Sequence, residues 1–129
     1  MDLNNFSDRL RIIVDAAFNY AKENQYAYFS PVHILIILLQ NDKDIVETFK
    51  YFKVDKENLL KESIETSDKQ EKNSKETQIQ SNIILLLKNV DKKIEEYKKK
   101  NIEGNILLME LSSESSPITK KILNKFNIL

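Results

Sequence analysis

Apolar residues recur every three or four positions through the N-terminal part of the chain. This spacing is typical of an amphipathic α-helix that buries one stripe. Asn5 or Ser7 is a suitable N-cap, because either side chain can accept a hydrogen bond from a free backbone N–H of the first turn. Asn24 and Gln25 follow the last apolar position and are expected to end the helix. The stripe consists of Phe6, Leu10, Ile13, Val14, Ala17 and Ala21.

Three further helices are predicted before residue 65. The second begins at Ser30 and Pro31, a serine N-cap followed by a proline in the first turn. It continues through residues 32–39, which are apolar nearly all round, so we expect it to be the central buried helix. The third and fourth helices are predicted over residues 43–52 and 56–64. Their inward positions are Ile45, Phe49 and Phe52, and Leu59, Leu60 and Ile64, and Asp55 is the predicted N-cap of the fourth helix.

Residues 65–78 contain no apolar side chain. Such a segment cannot bury enough surface to offset the entropy lost when a chain becomes ordered. We therefore predict a mobile polar linker here. It divides a single domain, residues 1–129, into a first part at residues 1–64 and a second part at residues 79–129.

The order of apolar positions after the linker repeats the order before it. A shift of 73 positions, from Phe6 to Ile79, aligns the first helix with a fifth, and small gaps align a sixth and a seventh. We interpret this as an internal duplication, although helices of similar amphipathicity also align by chance. The second copy would lack a counterpart of the fourth helix or continue beyond Leu129. Further aligned pairs are Leu10 with Ile83, Ile13 with Leu86, Val14 with Leu87, Ala17 with Val90, Ala21 with Ile94, Ile34 with Ile106, Leu35 with Leu107, Leu39 with Leu111, Phe49 with Leu123, Phe52 with Phe126 and Val54 with Ile128; Ser116 and Pro117 form a second serine and proline helix start.

The composition favours an all-α fold and excludes several functions. One glycine and two prolines in 129 residues are too few for the tight turns of a strand-rich protein. The absence of cysteine excludes disulfides, thiolate catalysis and cysteine-bound zinc. Lys and Arg number 20, Asp and Glu also number 20, and Arg9 and Arg11 are the only arginines. A neutral, arginine-poor chain is not expected to bind nucleic acid.

The chain shows no sign of a membrane partner. Its longest apolar run, residues 34–39, is far shorter than the roughly 20 residues that cross a bilayer. The N-terminus lacks the basic and apolar regions of a signal peptide, so we expect a cytoplasmic location. The charged run over residues 92–100 is mixed in sign and is expected to be a solvated helix face.

Three short motifs carry a resemblance to a known family. The chain opens with MDLNNFSDR, continues with VDAA at residues 14–17, and has FSPVHIL at residues 29–35. In this order the motifs resemble the Clp N-terminal repeat family of AAA+ chaperone ATPases, and the opening hexapeptide is most similar to its ClpB branch. The second copy departs from the family pattern, because IEGNIL at residues 102–107 stands where the family reads T/S-x-E-H-L-L.

The resemblance implies a non-catalytic protein-binding module with two pseudo-repeats of about four helices. Such a domain binds exposed apolar segments of unfolded or aggregated clients, or an adaptor, and delivers them to the pore of the ATPase. The AAA+ modules would belong to the same polypeptide, since no G-x-x-x-x-G-K-[ST] motif occurs here. We expect no cofactor and no metal, a monomeric isolated domain and a hexameric full-length protein. The alternatives are a regulatory domain of a ClpA- or ClpC-like ATPase, a free-standing adaptor, and an enzyme.

The resemblance also assigns candidate client-binding residues. Ser7 matches the Thr or Ser that begins the first helix of the family; the alternative is a plain N-cap. Leu87, Asn89 and Asn105 correspond to a client-binding groove in the second half. In ClpC-like members a glutamate before the motif histidine helps to bind phosphorylated arginine, but Val32 and Gly104 occupy the two equivalent positions. We therefore do not expect that activity, unless the neighbouring Glu103 compensates.

Two further features come from the residues themselves. Tyr20, Tyr26 and Tyr28 form an aromatic cluster around the first connector, which suits either a binding surface or the edge of the core. His33, the only histidine, has no second histidine or cysteine with which to bind a metal. We expect it to be a packed, hydrogen-bonded residue near the start of the second helix, with Asn105 as its counterpart in the second copy.

Overall fold

The computed structural model describes residues 3–73, 75–97 and 103–128. Within these ranges the chain forms seven helices and two very short strands, which confirms the predicted all-α fold. None of the described helices combines the length and the apolar character needed to span a bilayer. In chain order the elements are α1 (Asp8–Glu23), β1 (Tyr28–Phe29), α2 (Pro31–Asn41), α3 (Lys43–Tyr51), α4 (Lys56–Asp68), β2 (Gln78–Ile79), α5 (Ser81–Tyr97), α6 (Glu103–Leu111) and α7 (Pro117–Lys125).

The helix starts follow the capping signals in the sequence. Ser7 precedes α1, and its Oγ accepts a hydrogen bond from the backbone N–H of Leu10 at 3.2 Å. Asp55 precedes α4 and accepts from the backbone N–H of Asn58 at 3.1 Å. These contacts satisfy backbone donors that the first helical turn leaves free. The predicted first, second and fourth helix starts are therefore confirmed.

Helix α2 is the centre of the molecule. Every residue from Pro31 to Leu39 is buried, and α2 contacts each of the other six described helices. A helix that is apolar on all sides can satisfy all of its faces only when neighbours surround it. The sequence-based expectation of a central buried helix is confirmed.

The predicted mobile linker is ordered over its described residues, so that prediction is wrong. Helix α4 ends at Asp68 rather than at residue 64. Its buried face continues through Ser63 and Ser67, both 0% exposed, and Ser63 Oγ donates to the backbone oxygen of Leu59 at 2.8 Å. Because the buried face of this part of the helix consists of serines, the spacing of apolar residues does not predict the helix there. Ser74 lies outside the described residues.

Beyond α4, backbone hydrogen bonds fix the segment against the first connector. The Ala27 N–H donates to Glu71 O at 2.9 Å, and the Asn73 N–H donates to Gln25 O at 2.9 Å. The strands β1 and β2 then pair in parallel, with Tyr28 opposite Gln78. Main-chain groups supply this order and any residue type carries them, which explains why the composition gave no sign of it.

Aligned positions of the two halves have similar burial. Leu10 and Ile83 are each 1% exposed, and Leu39 and Leu111 are each 0% exposed. Other pairs differ: Phe6 is 6% exposed and Ile79 is 51% exposed, and Ala21 is buried where Ile94 is only half-buried. The common burial is what an internal duplication predicts.

The ends of α3 and α7 share a further backbone feature. Lys53 and Asn127 both adopt a left-handed conformation, with φ of 57° and 62°. The following residues donate back into the helix, Val54 N to Phe49 O and Ile128 N to Leu123 O, each at 2.9 Å. Both ends are therefore Schellman motifs without glycine, at positions that the sequence alignment pairs.

Candidate functional site

The N-terminus of α1 is joined to the start of α6. Ser7 Oγ donates to Glu103 Oε1 at 2.5 Å, and the Ser7 backbone N–H donates to Glu103 Oε2 at 3.2 Å. The Ser7 hydroxyl also caps α1, so its donor and acceptor functions are both used within the domain. Ser7 is thus the N-cap of α1, as one of the two interpretations predicted, and it also binds the carboxylate of Glu103.

Neither of the two positions before the motif histidine offers a carboxylate. Val32 is 1% exposed in the core, and Gly104 packs against the carboxylate of Asp42. Asp42 in turn accepts from the backbone N–H of Ile45 at 3.0 Å and pairs with Arg9 at 3.0 Å. The acidic groups near this junction therefore already have partners inside the domain.

His33 is a buried structural residue. Its side chain is 0% exposed, and Nδ1 accepts a hydrogen bond from the backbone N–H of Ser30 at 3.1 Å. Burial lowers the pKa of His33 to about 4, against a smaller opposing effect of the Gln70 side chain. Within the described residues, Nε2 has no hydrogen-bond partner. The packed, hydrogen-bonded histidine that the sequence predicted is confirmed.

The tyrosine cluster belongs mainly to the edge of the core. The Tyr26 ring lies 4.6 Å from the His33 ring and 6.4 Å from the Tyr20 ring, centroid to centroid. Tyr26 is 1% exposed and Tyr28 is 47% exposed, while Tyr20 is half-buried. Of the two alternatives for the cluster, Tyr26 takes the edge of the core, because its ring fills the space beside the α2 N-terminus. Tyr28 has the accessible ring of the three.

The predicted groove in the second half is not a continuous apolar surface. Leu87 is 4% exposed and packs in the core, which corrects its placement on the surface. Asn89 donates from Nδ2 to Glu110 Oε2 at 3.0 Å. Asn105 is half-buried, and no side-chain hydrogen bond of Asn105 occurs among residues 3–73, 75–97 and 103–128. The expected counterpart of the His33 hydrogen bond is thus not found.

A buried carboxylate takes the place of that groove. Glu110 is 2% exposed; its Oε1 accepts from Lys93 at 2.6 Å, and its Oε2 accepts from Ser115 at 2.6 Å and from Ser113 at 2.9 Å, as well as from Asn89. Burial by itself raises the pKa of Glu110, but the hydrogen bonds from Lys93, Ser115, Asn89 and Ser113 together outweigh it and lower the pKa. These hydrogen bonds link α5 and the loop after α6 to α6, and both carboxylate oxygens of Glu110 accept at least one of them.

An exposed aromatic pair at the end of α3 was missed by the sequence analysis. Tyr51 is 81% exposed and Phe52 is 67% exposed, and their rings contact edge to face with centroids 5.0 Å apart. Phe52 had been placed among the inward residues of the third helix, which is wrong. Adjacent helical residues point about 100° apart, so two consecutive aromatics could have signalled that one remains in solvent.

The aromatic pair borders an apolar groove between the ends of α3 and α7. The groove has a volume of about 570 Å³. We call it the α3–α7 groove; its apolar lining is Phe49, Phe52, Val54, Leu108, Phe126 and Ile128, and Lys53, Asp55 and Lys125 are among its polar residues. The two Schellman motifs bring these side chains together, because each turns the chain back over its own helix.

Among the described residues, no metal-binding group of side chains lies beside the groove. In the part of the chain that the structure describes, no three His, Cys, Asp or Glu side chains are grouped so as to hold a metal ion. The fold and its surface define a class: an all-helical domain of two similar halves with exposed apolar groups beside a groove.

Comparison with known proteins identifies the family within that class. Residues 5–126 match the family described as the Clp repeat (R) N-terminal domain. The chain therefore belongs to the Clp N-terminal domain family, in agreement with the resemblance read from its motifs. No curated protein matches the chain.

Two solved structures share the fold. The N-terminal domain (1-163) of the ClpV1 ATPase from the E. coli EAEC Sci1 T6SS superposes with a TM-score of 0.79 at 18% identity, over 98% of this chain and 79% of that one. A chain from structural investigations of a malarial protein secretion system superposes with a TM-score of 0.75 at 22% identity, over 96% of this chain and 86% of that one. At these identities the likeness concerns the fold.

Proposed function

We propose that this domain is the protein-binding module of a ClpB-like ATP-dependent chaperone. It engages exposed apolar segments of unfolded or aggregated proteins and passes them to the pore of AAA+ modules in the same polypeptide. The domain is non-catalytic and needs no cofactor in this role, and the full-length protein acts as a cytoplasmic hexamer. The observation that carries the proposal is the solvent-exposed pair Tyr51 and Phe52 beside the α3–α7 groove.

The exposure of this pair favours binding over packing. Large aromatic rings in water are energetically unfavourable by about 25 cal/mol for each Å² of apolar surface, and aromatics are enriched in the centres of protein interfaces. Tyr51 and Phe52 hold each other in place through their edge-to-face contact. A flexible client segment could therefore bury both rings without first ordering them.

The groove gives the segment a place to bind. Phe126 and Ile128 line it from the α7 side and Leu108 lies on α6. An extended chain places alternate side chains on one side, so a segment with apolar residues at every second position could contact both the groove and the aromatic pair. A shallow surface that accepts many sequences binds each one weakly.

Two sequence positions favour the ClpB branch over a ClpC-like role. Val32 and Gly104 replace the two acidic residues associated with phosphoarginine binding. Glu103, the remaining acidic candidate, accepts two hydrogen bonds from Ser7. A guanidinium would have to displace Ser7 to reach that carboxylate.

The proposal is tested by titrating unfolded casein into the isotopically labelled domain at high salt. Roughly 0.5 M salt shortens the screening length to a few ångströms, which suppresses charge-driven contacts and leaves apolar ones. We expect amide shift changes around Tyr51, Phe52 and Phe126. The double variant Tyr51→Ser/Phe52→Ser should abolish them.

Ile12→Ser is the matched control for surface hydrophobicity. Ile12 is 66% exposed, nearly the same fraction as Phe52, but it lies on α1. Casein binding should survive this substitution. Equal loss in both variants, or no shift changes at high micromolar casein, would contradict the proposal. In the full-length protein, altered ATPase with normal disaggregation in the double variant would favour the regulatory alternative.

A further inference from the structure

A second groove lies between α4 and α7, away from the aromatic pair. Its volume is about 770 Å³. Ile118 and Ile122, one helical turn apart on α7, give it an apolar stripe; Ile118 is 51% exposed and Ile122 is 5% exposed. We call it the α4–α7 groove.

The rim of the α4–α7 groove carries a local excess of positive charge. Its charged residues are Glu62 and Lys69 on or next to α4, and Lys121 and Lys125 on α7. Glu62 pairs with Lys125 at 2.9 Å. Among the described residues, Lys69 and Lys121 form no ion pair, and both are exposed. Three lysines therefore stand against one glutamate around this groove, in a chain whose net charge is zero.

We propose that the α4–α7 groove binds an acidic amphipathic helix of a partner protein. Leucine-like residues of that helix, spaced one turn apart, pack on the exposed side chain of Ile118 and on the small accessible part of Ile122 beneath it. Acidic residues on its flanks meet Lys69 and Lys121. Amphipathic helices commonly bind in apolar grooves between two helices.

The groove is already shaped for such a partner. The Glu62–Lys125 ion pair links α4 to α7, and Gln70 accepts a hydrogen bond from Ser30 Oγ at 3.2 Å. The ion pair joins the two walls to each other, and the Gln70 contact joins the α4 side to the start of α2. A bound helix therefore adds contacts without having to assemble its own site, which reduces the entropic cost of binding.

The experiment uses two labelled helical peptides titrated into the whole domain and followed by fluorescence anisotropy. One has leucines one turn apart flanked by glutamates, and the other has lysine in place of each glutamate. We expect the acidic peptide to bind and the basic peptide not to bind. Lys121→Glu should weaken binding by about fivefold or more, because it replaces attraction with repulsion at the rim.

Lys88→Glu is the charge-matched control, since Lys88 is exposed on α5 and lies outside the groove. It should leave the affinity within about twofold of wild type. Ile118→Ser should weaken binding without changing its salt dependence. Amide shifts should map to α4 and α7 and should persist in the Tyr51→Ser/Phe52→Ser variant.

Several results would overturn the proposal. These are no binding of the acidic peptide, equal binding of the basic peptide, an equal effect of Lys88→Glu, or amide shifts confined to Tyr51 and Phe52. The casein experiment at high salt is independent of all of them. The two experiments can therefore show separately whether the α4–α7 groove proposal or the proposed function is wrong.

Discussion

The carboxylate of Asp42 lies directly against Gly104. Its Oδ2 atom is 2.5 Å from the position that a Cβ atom would occupy on that glycine. A side chain at the surface could swing away from such a contact. Asp42 is 1% exposed, caps α3 and pairs with Arg9, so moving it breaks other contacts. The close approach of α3 and α6 depends on the single glycine of the chain.

Gly104→Ala is therefore expected to lower the free energy of unfolding by about 1–3 kcal/mol, the usual effect of overpacking. Replacing a glycine by alanine in a helix ordinarily stabilises by about 0.5–1 kcal/mol. A destabilising effect would therefore indicate the close contact with Asp42. Urea unfolding measures the change. In an Asp42→Ala background the same substitution should become neutral or stabilising, and a stabilising effect in the wild-type background would refute this account.

His33 makes stability depend on pH in a defined window. Above the unfolded pKa of about 6.5, both states hold neutral imidazole. Between that value and the folded pKa of about 4, only the unfolded state gains a proton. The free energy of unfolding is therefore expected to fall as the pH decreases through this window, by up to about 3 kcal/mol.

His33→Gln provides the comparison, because its amide oxygen can still accept from Ser30 N and it does not titrate. Urea midpoints measured from pH 7 to pH 5 should decline more steeply for wild type than for the variant. Parallel declines would show that other groups account for the pH dependence.

The buried Glu110 is expected to contribute strongly near neutral pH. Glu110→Gln removes the negative charge that pairs with Lys93. It also places an N–H donor of the new amide next to side chains that themselves donate to this position, so those hydrogen bonds are lost. We expect a loss of about 2–3 kcal/mol at pH 7. The lowered pKa of Glu110 means that this contribution is present above the unfolded pKa and is lost as the pH falls through the folded pKa. Glu114→Gln, an exposed neighbour paired with Lys120, should have no measurable effect in the same unfolding assay.

Glycine at the left-handed positions that end α3 and α7 should stabilise the domain. Lys53 and Asn127 adopt a left-handed conformation that costs a residue with a Cβ atom roughly 1 kcal/mol. We expect Lys53→Gly to raise the free energy of unfolding by about 0.5–1 kcal/mol. Lys50→Gly, three residues earlier inside α3, should lower it by a similar amount. If Lys53→Gly destabilises as Lys50→Gly does, the backbone assignment at 53 is wrong.

The parts of the fold that follow from apolar periodicity and caps could be predicted from the sequence. Helix starts at Ser7, Ser30 and Asp55 and the buried α2 are of this kind. The order of the described residues between 65 and 78 could not be predicted from the sequence. It comes from main-chain hydrogen bonds and from the buried serines Ser63 and Ser67.

The candidate surface was harder to predict than the fold. Leu87 was assigned to a groove from its position in the family pattern, and the aromatic character of Tyr26 left a surface and the core edge both open. Neither property determines whether a side chain is buried. The Tyr51 and Phe52 pair was missed because Phe52 fits the spacing of inward residues. The exposure of Phe52 depends on the turn at Lys53, which adopts a left-handed conformation. Such a turn is usually predicted from a glycine, and no glycine marks it here.

Because α2 touches every other described helix, the two look-alike halves share one interior. Removing the second half would take α5, α6 and α7 away from α2 and leave part of its apolar surface in water. Denaturation should accordingly follow a single sigmoidal transition, with fluorescence and circular dichroism coinciding. An ancestor resembling one half alone would have needed a second copy of itself to cover that surface.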